Sequence, residues 1–237
     1  MSRSMVTWTK AELITLTTAQ LTGGESIQDF YKRCSYSSRP TKLDLCHMLQ
    51  LPYKKKDVDP YTKDVLVEHL RLFQEYTSKT HELNQRYQTD IRTTNFPEHI
   101  SENIVKFVIR HIEKDTSCVW AKSVNKPGDL YTSHGIAEVK AFASNGPTTF
   151  GPHKKFSTLY FLDAREWKND MFVVYKANVA STDPTWNALK ISQHETFEHK
   201  MNKGQRPHIH WSSLSSQLKQ MKKLHELYRG SLLGIFK

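Results

Sequence analysis

From Pro127 to Lys140 the chain reads Pro127-Gly128-Asp129-Leu130-Tyr131-Thr132-Ser133-His134-Gly135-Ile136-Ala137-Glu138-Val139-Lys140. Leu130 to Thr132 and Ile136 to Ala141 have strand character, and Ser133-His134-Gly135 supplies a turn between them, so the stretch reads as a short β-hairpin. Side chains alternate along a strand. Glu138 and Lys140 therefore leave one face, and Ala137, Val139 and Ala141 the other. A carboxylate and an ammonium set side by side among Ala, Val and Phe are unusual, because an unpaired charge is costly to bury.

A hard divalent cation held between Asp129 and Glu138 would relieve that cost, since such ions prefer carboxylate oxygens. An Asp, a hairpin and then Glu-x-Lys is a pattern that resembles the PD-(D/E)xK nucleases. The tripeptide recurs as Glu166-Trp167-Lys168 and Glu198-His199-Lys200. The first of these reads as a polar loop. The second reads as helix, where residues two apart do not share a face. Only the copy at Glu138 combines an alternating apolar strand with an upstream Asp at hairpin distance. The alternative is a surface hairpin whose charges are merely solvated.

The resemblance implies a site in which Asp129, Glu138 and the Val139 carbonyl hold Mg²⁺ and Lys140 orients the nucleophile or stabilises developing charge. In this superfamily the helix before the hairpin often adds an acid, and Glu102 stands at a suitable place for it. As a first-turn acid Glu102 would instead serve the helix dipole, and that reading is preferred by a narrow margin. The loop after the strand places Ser144, Asn145, Thr148 and Thr149 where restriction-type nucleases contact DNA, with Lys154 and Lys155 on backbone phosphates. Lys203, Gln205, Arg206 and His208 form a second basic, alternating segment suited to base edges and phosphates.

Lys and Arg number 34 against 24 Asp and Glu, a formal charge of +10 that favours a polyanionic partner. Three widely spaced cysteines, Cys34, Cys46 and Cys118, fit neither a disulfide framework nor a zinc site; free thiols in a reducing, cytoplasmic compartment are expected. His194, His199, His208 and His210 lack a recognised zinc spacing. No apolar run approaches membrane-spanning length, and no membrane partner is expected.

The fold class expected is α/β, a restriction-endonuclease-like core with a mixed central sheet flanked by helices and a helical N-terminal region. Residues 1–92 form that region and 93–237 the nuclease core. Helices are expected over 7–33 with a break at Gly23-Gly24, over 41–52, and from Thr62 to about Arg92. Residues 41–72 resemble a SAP-type DNA-binding module in their Leu-x-x-Leu and Thr-Lys-x-x-Leu-Val runs, and Lys54, Lys55 and Lys56 are basic enough to touch phosphate. They lack the glycine usual between its helices, and a plain helical hairpin fits equally well. A core helix over Glu98–Lys114, with Ile100, Ile104, Phe107, Val108 and His111 on its apolar face, precedes a short strand over 118–121. Thr158–Asp163 reads as a strand buried on both faces and Met171–Ala177 as its neighbour, with short helices at Asp183 and Thr196. From Ser212 onward Leu214, Leu218, Met221, Leu224 and Tyr228 give an amphipathic C-terminal helix.

The function implied is Mg²⁺-dependent cleavage of double-stranded DNA at a short specific site by a type II restriction endonuclease, commonly a homodimer on a palindrome. A repair nuclease or junction resolvase of the same fold is the rival enzyme. A non-catalytic DNA-binding protein is the rival without chemistry.

Overall fold

The computed structural model describes residues 10–19, 21, 26–33, 45, 49, 59, 61–92, 94–121, 128–151 and 154–237. They fall into two compact units. The first comprises residues up to Val58 together with 121–127, and the second the remainder. In the first unit α1 spans Lys10–Thr18 and α2 Ile27–Arg33. The Ser26 hydroxyl accepts from the Asp29 N–H (3.2 Å) and donates to its carboxylate (2.6 Å), which caps the start of α2. Leu13, Phe30, Tyr31, Leu45 and Leu49 are buried here. Most of 41–58, including Lys54–Lys56 and the first half of the SAP-like stretch, lies outside the described residues.

The second unit opens with α3 (Lys63–Tyr87), capped by Thr62, and α4 (Glu98–His111). Helix α3 stops earlier than its apolar spacing predicts. Gln88 turns left-handed (φ 50°), and the Asn84 side chain takes the Ile91 N–H and carbonyl instead. Leu83, Tyr87 and Ile91 are exposed.

Eight strands follow among the described residues. Six build one sheet in the order β1 (Val119–Trp120), β2 (Leu130–Thr132), β3 (Gly135–Phe142), β5 (Thr158–Asp163), β6 (Phe172–Ala177) and β8 (Leu224–Gly230). All neighbours are antiparallel except β3 and β5, which run parallel with Glu138 opposite Leu159 and Lys140 opposite Phe161. The mixed sheet flanked by helices is as the sequence predicts. β4 (Pro147–Thr149) and β7 (His208–His210) pair separately as a two-stranded sheet.

Strand alternation sorts two cores. Ala137, Val139, Tyr160, Leu162, Phe172 and Val174 face α4 and α3. Phe142, Leu159, Phe161 and Ala177 face the other way, against Phe150, Trp186, Phe197, Ile209, Leu214 and Leu218. Glu138 and Lys140 share the parity of Phe142 and so belong to this second face. Three short helices cover it: α5 (Pro184–Asn187), α6 (Phe197–Asn202) and α7 (Trp211–Gln220).

Two further sequence expectations are corrected. The C-terminal helix ends at Gln220, and Leu224 and Tyr228 belong to strand β8, beyond a left-handed Lys222 (φ 55°) that stops the helix. His111 is exposed at the end of α4, and Ile109 fills the core instead.

Candidate active site

The site is assembled where β2 and β3 diverge from their turn. Gly135 takes φ 110°, a conformation that L side chains rarely adopt, and so closes the hairpin. Gly128 packs so closely on Ile136 that an added Cβ would meet the Ile136 Cγ2 at 2.1 Å. That approach sets Asp129 against β3. The Asp129 N–H donates to the Ala137 carbonyl (3.0 Å), and the Val139 N–H donates to Asp129 Oδ2 (2.7 Å). One carboxylate oxygen of Asp129 is thereby fixed by backbone.

Glu138 is wholly buried, with its carboxylate held by two lysines. Lys140 Nζ donates to Oε1 (2.7 Å), and Lys154 Nζ donates to Oε2 (3.1 Å). The same Lys154 ammonium lies 3.7 Å from Asp129 Oδ1. Lys154 arrives through the crossover that joins the parallel strands. Ser157 N–H bonds the Ile136 carbonyl (2.7 Å), which returns the chain beside Glu138 just before β5 begins. The sequence reading put Lys154 on DNA phosphate, but here it bridges the two acids.

Glu102 is the third acid. It lies partly buried on α4, between buried Ser101 and Asn103. The Trp120 indole N–H donates to the Glu102 carboxylate. Burial, and then the charge of Asp129, push the Glu102 carboxyl up to about 8. Burial followed by the Glu138 charge raises Asp129 to about 6. For Lys154 burial works against the charge, but Glu138 and Asp129 outweigh it and raise its pKa. Burial and the closeness of the acids push these carboxyls toward their neutral forms, a cost that a divalent cation would relieve. Among the described residues no three His, Cys, Asp or Glu side chains form a ready cation cage. Magnesium does not need one, since it is usually held by one or two carboxylates with water and substrate phosphate. Asp129, Glu138 and the Val139 carbonyl fit that donor chemistry.

The presumed DNA-contacting segments, some sixty residues apart in the chain, meet in the small sheet, where Thr148 pairs with Ile209 and Thr149 with His208. Thr149 Oγ1 and His208 Nδ1 are 2.9 Å apart, and His210 Nδ1 lies 3.1 Å from the Asn145 carbonyl. Ser144, Asn145, Lys155, Lys203, Gln205, Arg206 and His208 are exposed, whereas Thr148 is buried with a hydroxyl that has no hydrogen-bond partner. The Asn145 Oδ1 accepts from Arg165 (2.8 Å), which also grips Asp163. These two side chains line a cavity of about 650 Å³ together with Ser144, Met171 and Arg229. The three acids do not line it.

Among the described residues the other two Glu-x-Lys glutamates make no ion pair with a lysine. Glu166 precedes a short 3₁₀ turn that buries Trp167, and Glu198 lies in the first turn of α6. Trp120 and Lys154 were not singled out for the acid cluster from sequence. Only the tryptophan left a local signal, an indole on the strand beside the hairpin.

The model of the family described as Bsp6I restriction endonuclease matches residues 61–219, about two thirds of the chain. The matched span runs from the start of α3 to α7 and includes Glu102, Asp129, Glu138, Lys140 and Lys154. Neither the curated proteins nor the solved structures provide a match. With its mixed sheet and flanking helices, this chain belongs to the Bsp6I restriction endonuclease family.

Proposed function

We propose that the chain is a Mg²⁺-dependent type II restriction endonuclease that hydrolyses phosphodiester bonds of double-stranded DNA at a short specific site. The observation that carries the proposal is that Asp129 and buried Glu138 share one lysine, Lys154, while Lys140 bonds Glu138 from the same face of β3. When bound, the cation supplies Lewis-acid relief of phosphate charge and makes water a better nucleophile.

The protein's own groups do the rest. The Val139 N–H holds Asp129 Oδ2 and so turns Oδ1 towards Glu138 and Lys154. Lys140 keeps an ammonium against the acid face, 5.9 Å from the Phe150 ring centroid, where it stabilises negative charge developing on phosphate. The Trp120 indole fixes Glu102, whose carboxyl holds its proton at neutral pH while the cluster carries no divalent ion. Exposed Asn145, Gln205 and Arg206 supply the donors and acceptors suited to base edges, and Lys155 and Lys203 the charge for phosphates. Cutting both strands by symmetry calls for a homodimer on a palindromic site.

Incubating plasmid DNA with the purified protein and Mg²⁺ tests the proposal. Discrete bands that vanish with EDTA are expected. A smear, cutting confined to branched DNA, or binding without cutting would overturn it.

A further inference from the structure

We propose that Lys154 is a resident cation of the acidic site, one that a divalent ion must displace before it can bind between Asp129 and Glu138. The inference rests on the metal-site reading above and adds a competitor to it. Two lysines touch the acids, and their geometry separates their roles. Lys140 meets a single oxygen, Glu138 Oε1 at 2.7 Å. Lys154 reaches across to both acids, 3.1 Å from Glu138 Oε2 and 3.7 Å from Asp129 Oδ1. That is the bridging position required of a cation shared by the two carboxylates.

The position is built by the fold. The crossover between parallel strands delivers the residue to Glu138, and Gly151 leaves room for its stem, since a Cβ there would meet Lys154 Cγ at 2.9 Å. The wholly buried Glu138 cannot turn to water for compensation, so in the absence of metal the Lys140 and Lys154 ammoniums neutralise it between them, and Lys154 reaches Asp129 as well. An ammonium and a divalent ion cannot both occupy so small a space, because their repulsion is strong at contact distance in a partly buried site. Metal binding therefore carries the cost of expelling Lys154. Expulsion frees an ammonium beside the acids, where the phosphate role read from the sequence becomes available to it.

Mn²⁺ is the probe. Its binding to the metal-stripped full chain without DNA is followed at one fixed pH by loss of the free-ion paramagnetic resonance signal. Lys154→Met and Lys154→Gln are each expected to bind Mn²⁺ about tenfold more tightly than the native chain, within the usual range of coupling between two sites. Lys154→Arg should stay near native. In EDTA both neutral variants should melt at lower temperature than the native chain and gain more from added Mn²⁺. Glu138→Gln should bind Mn²⁺ much more weakly. If the two neutral variants bind Mn²⁺ no more tightly than native while Glu138→Gln loses it, the metal site stands and the role of Lys154 falls. If neither the native chain nor Lys154→Met binds Mn²⁺ at a site sensitive to Glu138, both fall.

Discussion

Glu102 is a carboxyl pinned by Trp120 and raised to about 8 by burial and by Asp129, which is itself raised to about 6. A carboxyl whose folded pKa lies above its unfolded value stabilises the fold only while it keeps its proton. The contribution of Glu102 is thus whole below about pH 4.5 and is lost as pH climbs through about 8. Metal-free protein should therefore lose thermal stability between pH 5 and 8. Glu102→Gln keeps an oxygen for the Trp120 indole but removes the ionisation. It should raise the melting temperature in EDTA at pH 8 and leave it nearly unchanged at pH 5. A decline as steep as that of the native chain would contradict the argument. Lys106 gives a second test. It is fully buried, and its ammonium donates to Asp59 (2.8 Å) and to the Tyr61 carbonyl (2.7 Å). Lys106→Met leaves a buried Asp59 with Arg110 at 3.3 Å as its remaining cation among the described residues, beside the Tyr61 N–H at 3.1 Å, and should cost about 3 kcal/mol in urea unfolding. A loss below about 1 kcal/mol would mean that Arg110 compensates fully.

At the scale of elements, the hairpin was legible because alternation is a local signal. Glu138 and Lys140 face one side and Ala137 and Val139 the other, as the sequence implies. Strand β8 was not, for a specific reason. Leu224 and Tyr228 are four residues apart, a spacing that reads as a helix turn, whereas in β8 a bulge between them sends Leu224 to one core and Tyr228 to the other, so no strand alternation marks them. The bridge from Lys154 to both acids was equally hidden, since a parallel crossover creates it rather than any pattern in the sequence. The small sheet joins the two expected DNA-contacting segments, with Asn145 and Arg206 exposed and Thr148 buried. Arg206→Ala should lower cleavage of the preferred site relative to random-duplex binding by roughly 1–3 kcal/mol of discrimination. Comparing the two affinities checks it, and an unchanged ratio would remove this segment from readout.

For the whole molecule, the formal charge of +10 implies that duplex binding releases counterions. Log affinity should fall with log salt at a slope of about −0.9 per phosphate neutralised, and a flat response would remove the electrostatic account. The family match covers residues 61–219, so the acids and the scaffold that positions them lie on the same span. The proposed chemistry runs through Asp129 and Glu138 and not through the other Glu-x-Lys copies. The direct measurement is plasmid cleavage in Mg²⁺ by Asp129→Asn, Glu138→Gln, Glu166→Gln and Glu198→Gln, with duplex binding measured alongside. The first two should lose roughly 10²-fold or more in rate while still binding DNA, and the last two should cut as the native chain does. Normal cutting by Glu138→Gln would contradict the account.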